Sequence, residues 1–114
     1  MLNQKRETEV EIMETYTIER TDARPLRFKG ELLAEASSYR HDNNTRWTEL
    51  ALYKTSGGKY ICEVRARTIW QGERDFIRAD AVADEAGVVD YFEPSWVARM
   101  LFDAAGIDDA VEVD

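Results

Sequence analysis

Residues 46–70, RWTELALYKTSGGKYICEVRARTIW, decide the fold. Two runs rich in β-branched and aromatic residues flank Ser56, Gly57 and Gly58, and glycine reaches positive φ at little steric cost, so the chain reverses there. The stretch therefore predicts one β-hairpin. A three-residue loop at residues 56–58 places Thr55 opposite Lys59, whereas a two-residue turn at the glycine pair shifts the pairing by one residue.

The three-residue loop divides the hairpin side chains into an apolar face and a polar face. The apolar face comprises Thr48, Leu50, Leu52, Tyr60, Cys62, Val64 and Ala66. The polar face sets Glu49 against Arg65, which predicts an ion pair, and Trp47 against Arg67, which predicts a cation–π contact. The two-residue turn would leave Leu50 and Leu52 among arginines, so we favour the three-residue loop.

The segments around the hairpin predict further strands. Residues 9–19 and 26–36 alternate apolar and polar side chains, which is typical of strands with one exposed face. In the second of these strands, five residues are expected on one side: Leu26, Phe28, Leu32, Ala34 and Ala36. The alternative for this segment is a short helix through residues 30–38, which the helix propensity of its residues would favour. A fifth, short strand is expected at residues 76–82, although a helix beginning at Asp80 is the alternative.

Two helices are expected after the strands. Asp84 can cap a helix that runs to Phe92, and Ser95 can cap a second helix that ends at Gly106. The expected apolar stripe of the second helix comprises Trp96, Val97, Met100, Leu101 and Ala104. The prediction is an α+β fold, an antiparallel meander of four to five strands with both helices packed on one face. Residues 1–8 are expected to be a flexible terminus, residues 9–107 one domain and residues 108–114 an acidic tail.

Composition limits the class of protein. A chain of 114 residues with 44% hydrophobic content is typical of one folded globular domain. No apolar run reaches the roughly 18 residues of a membrane span, and the first residues lack the apolar core of a signal peptide. We therefore expect a cytoplasmic protein without membrane contact. The single cysteine, Cys62, permits no internal disulfide and is interpreted as a buried thiol.

The net charge of −8 is unevenly distributed. Residues 1–70 hold 12 Lys and Arg against 11 Asp and Glu, whereas residues 71–114 hold 3 against 12. The second segment would repel nucleic acid and attract a basic protein surface. The candidate partner-binding residues are Asp84, Glu85, Asp90, Glu93, Asp103, Asp108 and Asp109. Solubility alone is the other interpretation of this acidic surface.

The polar face of the hairpin is a second candidate site. Aromatic side chains among arginines on an open sheet bind single-stranded nucleic acid in several folds. The candidate residues are Arg46, Trp47, Tyr53, Arg65 and Arg67. Such a face is often covered by another element or by a second subunit, so a structural role or a homodimer contact is a further alternative.

Motifs of catalysis and metal binding are missing from the sequence. There is no nucleophile elbow, no phosphate-binding glycine loop and no H-E-x-x-H pattern. His41 is the only histidine and lies in a polar segment, so it cannot form a metal site alone. The acidic run at residues 108–114 lacks the spacing of a calcium-binding loop. We therefore expect a non-enzymatic protein without a cofactor or a metal ion.

The segments FKGELLAE (residues 28–35), WTELALY (residues 47–53) and TSGGKY (residues 55–60) resemble small uncharacterised proteins of bacterial plasmids, phages and integrative elements. The resemblance covers residues 26–70. It implies a genetic neighbourhood that includes anti-CRISPR proteins and other counter-defence factors, many of them small, acidic and non-enzymatic proteins that occupy a nucleic-acid-binding surface. We therefore expect an interaction protein of a mobile element, whose acidic C-terminal part docks on a basic surface of a bacterial protein.

Overall fold

The chain forms a five-stranded antiparallel sheet in which strands consecutive in sequence are neighbours in space. The computed structural model describes residues 13–40 and 45–114. The strands are β1 (Glu14–Arg20), β2 (Ala23–Ser37), β3 (Arg46–Thr55), β4 (Tyr60–Thr68) and β5 (Phe76–Val82), and the helices are α1 (Glu85–Tyr91) and α2 (Trp96–Ala105). The predicted α+β meander with two C-terminal helices is confirmed.

The β3–β4 hairpin has the register predicted from its turn. Thr55 N donates a hydrogen bond to Lys59 O at 2.8 Å, and the ladder keeps this register from Lys54↔Tyr60 to the far end of both strands. Gly58 has a φ of 89°, a conformation that glycine adopts at little cost. The three-residue loop is confirmed and the two-residue turn is wrong.

The apolar face of the hairpin and the two helices enclose the main core. Leu52 and Cys62 from the hairpin are fully buried in one cluster with Val88 of α1 and Leu101 of α2. Helix α2 lies over β2 and β3, and α1 lies against β4. Burying one such aliphatic side chain contributes about 1.5–3 kcal/mol, so this core holds both helices on one face of the sheet.

Both helices begin and end at residues that satisfy free backbone groups. The side chain of Asp84 accepts a hydrogen bond from the backbone of α1 at 2.9 Å, and that of Ser95 accepts one from the backbone of α2 at 3.1 Å. Gly106 ends α2 with a φ of 71°, and Ile107 N donates to Phe102 O at 2.9 Å. The predicted caps are confirmed, and Ile107 folds back onto the core.

The core-facing side of α2 is rotated relative to the predicted stripe. Val97 and Leu101 are buried as expected, but the other buried residues of the helix are Ala98 and Phe102. The prediction is wrong for three residues, which are exposed: Trp96, Met100 and Ala104. Both sides of α2 carry apolar residues, so periodicity alone could not decide which side faces the sheet.

Strand β2 contains a β-bulge at Leu33, and after it the side chains of alternate residues point to the opposite sides of the sheet from before. Before the bulge, Phe28 lies on the side of the sheet away from the helices, and after it Ala34 and Ala36 lie on the helix side. The prediction that one face carries Leu26, Phe28, Leu32, Ala34 and Ala36 is therefore wrong, and so is the alternative of a helix through residues 30–38. An extra residue in one strand shifts the alternation by one, so β2 contributes to both sides of the sheet.

The sheet curls into a half-barrel around a second, smaller core. Ile18, Ile61 and Ala79 are buried on the side away from the helices, referred to below as the concave face. At one end of the curl, Thr21 N donates to Ile77 O at 2.9 Å and brings the end of β1 to β5. The twist of the sheet allows its first and last strands to approach, so both faces bury apolar side chains.

The first and last strands and the two ends of the chain can be compared with their predicted bounds. Strand β5 has the predicted bounds, whereas β1 begins at Glu14 within the described residues, and the predicted flexible terminus, residues 1–8, lies outside them. Residues 108–114 form neither helix nor strand.

Cys62 is fully buried, and burial raises the pKa of its thiol to about 12, which confirms the interpretation as a buried thiol.

Gly30→Ala is expected to destabilise the fold, because the added Cβ would overlap the carbonyl group of Lys54 on the neighbouring strand. Overpacking of this kind costs about 1–3 kcal/mol. Gly57→Ala is the matched control, since the nearest atom to its Cβ would be Thr55 Oγ1 at 3.9 Å. Its free energy of unfolding should change by less than about 0.5 kcal/mol. Urea denaturation compares the two variants, and equal stabilities would contradict the close approach of β2 to β3.

Candidate functional site

The acidic residues predicted to bind a partner lie on the helices, in the adjoining turns and in the tail. Six of the seven side chains are exposed, and Asp109 is half-buried. Together they are referred to as the acidic helical layer: Asp84, Glu85, Asp90, Glu93, Asp103, Asp108 and Asp109. Asp84 also caps α1, so its carboxylate has a structural role besides its charge.

The carboxylates of the acidic helical layer have no ion pair within the described part of the chain. Within residues 13–40 and 45–114, no lysine or arginine nitrogen lies within 4.0 Å of any of the seven. The carboxylates that do have such a partner belong to the sheet or the β4–β5 connection: Glu49, Glu63, Glu73, Asp75 and Asp80. The charge of the layer is therefore available to a basic surface.

The helices and the tail carry the net charge of the whole protein. Residues 84–114 hold nine acidic residues and a single arginine, Arg99, whereas residues 1–83 hold 14 acidic and 14 basic residues. The excess of eight negative charges thus lies in residues 84–114, which follow the last strand. Such segregation produces a negative potential on one side of the molecule, which attracts cations and basic surfaces.

The polar face of the hairpin forms a charged network around Glu49 on the concave face. Arg65 Nε and Arg67 Nη1 lie 3.2 Å and 3.3 Å from Glu49 Oε1. Trp47 Nε1 donates to Glu49 Oε2 at 2.9 Å, and Arg67 Cζ lies 6.0 Å from the centre of the Trp47 ring. Arg67 Nε also lies 2.9 Å from Asp75. The predicted ion pair and cation–π contact are both confirmed.

Carboxylates outnumber arginines in this part of the concave face. A groove of about 460 Å³ opens here and is lined in part by Glu35, Ser37, Glu49 and Arg65. Four carboxylates lie near two guanidinium groups: Glu35, Glu49, Glu63 and Asp75 near Arg65 and Arg67. The arginines are thus neutralised from within the chain, which leaves them little free charge for phosphate groups.

Glu63 belongs to this network and was not among the residues predicted from the sequence. It lies opposite Ala51 on β3 and is only 3% exposed. Tyr53 Oη donates to Glu63 Oε1 at 3.4 Å, and Arg65 Nη1 lies 3.7 Å from Glu63 Oε2. Burial raises the pKa of Glu63 above its usual range, and the charge of Arg65 opposes this shift. The predicted register could have identified Glu63, because it places this residue between Ile61 and Arg65 on the concave face.

Tyr53 packs into an aromatic cluster deeper in the half-barrel. The centre of its ring lies 4.8 Å from that of Tyr16 and 5.2 Å from that of Phe28. Burial, together with the negative charge of Glu63, raises the pKa of Tyr53 to about 12. A ring that already contacts two other rings has little surface left for stacking with a base.

Arg46 lies on the opposite face of the sheet from Trp47, because consecutive residues of a strand point to opposite sides. It pairs with Glu73, and the hydrogen bond from Arg46 lowers the pKa of that carboxyl group to about 2. Its Cζ atom also lies 5.7 Å from the centre of the Trp70 ring. The structure brings together three of the five residues predicted for nucleic-acid binding: Trp47, Arg65 and Arg67.

Among the described residues, no group of three or more His, Cys, Asp or Glu side chains could hold a metal ion. His41 lies outside those residues.

Comparisons with protein-family models, curated proteins and solved structures find no significant match to this chain. In the part of the chain that the structure describes, no helix has the length and apolar character needed to cross a membrane. The features of the molecule that bear on function are therefore the acidic helical layer and the concave face.

Glu63→Gln is expected to gain stability relative to the unmodified protein as the pH rises above about 4.3, the usual pKa of a glutamate. Because burial raises the pKa of Glu63 in the folded state, the folded protein keeps a proton that the unfolded chain has already released. Stability therefore falls as the pH rises through this range. Glutamine has no carboxyl proton to release, so the stability of the variant lacks this dependence on pH. Urea denaturation at several pH values gives the difference between the two proteins, and a difference independent of pH would contradict the raised pKa.

Proposed function

We propose that this is a non-enzymatic binding protein whose acidic helical layer docks on a basic surface of another protein. One observation carries the proposal: no carboxylate of the layer has a cationic partner among the described residues. The arginines of the concave face, by contrast, are paired with carboxylates of the same sheet. The charge of the helical side is directed towards solvent, and the charge of the concave face is satisfied internally.

The physics of exposed charge favours a basic protein surface as the partner. Unpaired surface charges act over about 8 Å at physiological ionic strength, and they steer and orient a partner of opposite sign more than they increase affinity. The same charges repel nucleic acid and anionic membranes. A protein surface rich in lysine and arginine, including one that otherwise binds phosphate groups, has the required complementarity.

The partner that we propose is a cytoplasmic bacterial protein that handles nucleic acid. The resemblance of residues 26–70 to proteins of plasmids, phages and integrative elements supports this choice. A nucleic-acid-binding surface presents lysines and arginines to phosphates, and an acidic protein layer can occupy it in their place. The resulting activity is inhibition of a defence complex, of the kind that anti-CRISPR proteins exert.

Charge reversal in the acidic helical layer is expected to abolish capture of the partner. Asp90→Lys combined with Asp103→Lys changes two exposed side chains that neither cap a helix nor pair with a cation, so the melting temperature should stay nearly unchanged. Asp84 is left intact because it caps α1. The immobilised protein should retain a stoichiometric partner from a nuclease-treated bacterial lysate and release it at high salt. Mass spectrometry identifies that partner, and the double variant should retain none.

Glu14→Lys combined with Glu19→Lys is the matched control. It changes the net charge by the same amount at two exposed positions of β1, away from the helices. This variant should capture the partner like the unmodified protein. Equal loss of capture in both double variants would assign the effect to net charge alone, and undiminished capture by the helical variant would overturn the proposal.

Single-stranded nucleic-acid binding through Trp47, Arg65 and Arg67 is less favoured, because both arginines already face carboxylates. We expect no binding of a fluorescently labelled oligonucleotide at low salt, where phosphate contacts are strongest. Fluorescence anisotropy measures this directly. Binding that weakens with salt and disappears in Trp47→Ala would instead support this second function.

A further inference from the structure

Helix α2 carries an apolar stripe on its solvent side as well as on its core side. Trp96 is 53% exposed and Met100 is 48% exposed, and the exposed Ala104 continues the stripe by one more turn. The core-facing side of the same helix already supplies Val97 and Leu101. The fold therefore does not need the second stripe, and large apolar side chains exposed side by side mark surfaces that bind other proteins.

The shape of the stripe points to an elongated partner. Residues four apart lie above one another on a helix, and a rise of 1.5 Å per residue separates Trp96 from Ala104 by about 12 Å. A convex ridge of this kind packs into the groove between the side chains of another helix, whereas small molecules bind in concave sites. Arg40, which follows the end of β2, has its Cζ atom 5.8 Å from the centre of the Trp96 ring.

Unpaired carboxylates lie near both ends of the stripe. Glu93 precedes Trp96 by three residues, and Asp103 follows Met100 by three residues. Both are exposed and have no ion pair among the described residues. Arg99 is the only basic residue of residues 84–114. The complementary surface is an apolar strip with lysines or arginines beside it.

We propose that α2 binds a basic amphipathic helix of the partner protein, with Trp96 and Met100 against its apolar side and Glu93 and Asp103 near its basic side chains. This inference rests on the proposed function and specifies the element of the partner that the acidic helical layer contacts. A second copy of the chain would bring two acidic layers together, and an anionic lipid surface would be repelled. Tryptophan and methionine are suited to the role, because aromatic residues and methionine are enriched in interface cores.

A designed peptide tests the inference before the partner is known. The probe is a labelled peptide of about 18 leucines and lysines, with leucines three and four residues apart so that its helix has one apolar side. A second peptide has the same composition with the leucines scattered around the helix. A third peptide has the patterned sequence with glutamate in place of lysine. Fluorescence anisotropy at physiological ionic strength gives the Kd of each peptide for the full-length protein.

The protein is expected to bind the patterned lysine peptide more tightly than the scattered one and to show no binding to the glutamate peptide. Trp96→Ala combined with Met100→Ala should raise the Kd about ten-fold or more, because truncation of central anchors has effects of this size. Trp70→Ala is the matched control, since Trp70 is 51% exposed on the β4–β5 connection. It should leave the Kd unchanged, and thermal unfolding should show that all variants keep the fold.

The outcomes distinguish this inference from the proposed function. Absence of binding, equal binding of the two lysine peptides, or an unchanged Kd in the Trp96 and Met100 variant would overturn the helix-binding stripe. Capture of a lysate partner through Asp90 and Asp103 would then still support the proposed function. Equally tight binding of the glutamate peptide would overturn the basic character of the partner. A dimer in sedimentation experiments that dissociates in the Trp96 and Met100 variant would assign the stripe to a second copy and overturn the inference.

Discussion

Burial of the apolar hairpin face beneath the two helices organises the whole molecule. Leu52 and Cys62 of the hairpin and Leu101 of α2 are all fully buried in one cluster. Because side chains alternate along a strand, the register that builds this cluster also fixes which residues face the other way. A slip of one residue in β4 would bring Glu63 and Arg65 under the helices, at a large cost in desolvation.

The charged groups on the two sides of the sheet are stabilised in different ways. On the concave face, Glu49 receives Arg65 and Arg67 as partners, and the buried Glu63 is accompanied by Tyr53 and Arg65. Ionic groups that lose water need such partners. On the helical side the buried residues are apolar, and the carboxylates of α1 and α2 are exposed, with no cationic partner in residues 13–40 and 45–114. The charged groups of the concave face are therefore paired within the sheet, and the helical side of the molecule is strongly acidic.

Binding by such a surface requires both long-range and short-range contributions. In the proposed interaction, the acidic helical layer would supply the long-range attraction, which increases encounter and orients a partner but is weakened by salt. In the same proposal, the exposed side chains of Trp96 and Met100 would lose water at short range, where most of the affinity of an interface originates. Both surfaces lie on the helical side of the molecule, and the sheet holds the two helices in place through the shared core.

The sequence by itself determined the features that depend on local geometry. The hairpin register follows from the turn at residues 56–58, and the limits of α2 follow from Ser95 and Gly106, because backbone conformation and capping act over a few residues. Tertiary structure alone decided the bulge at Leu33, the curl of the sheet and the side of α2 that faces the core. In each of these cases the local pattern allows two arrangements of similar apolar content. The choice depends on which arrangement buries more surface against distant parts of the chain, and a single sequence does not display that comparison.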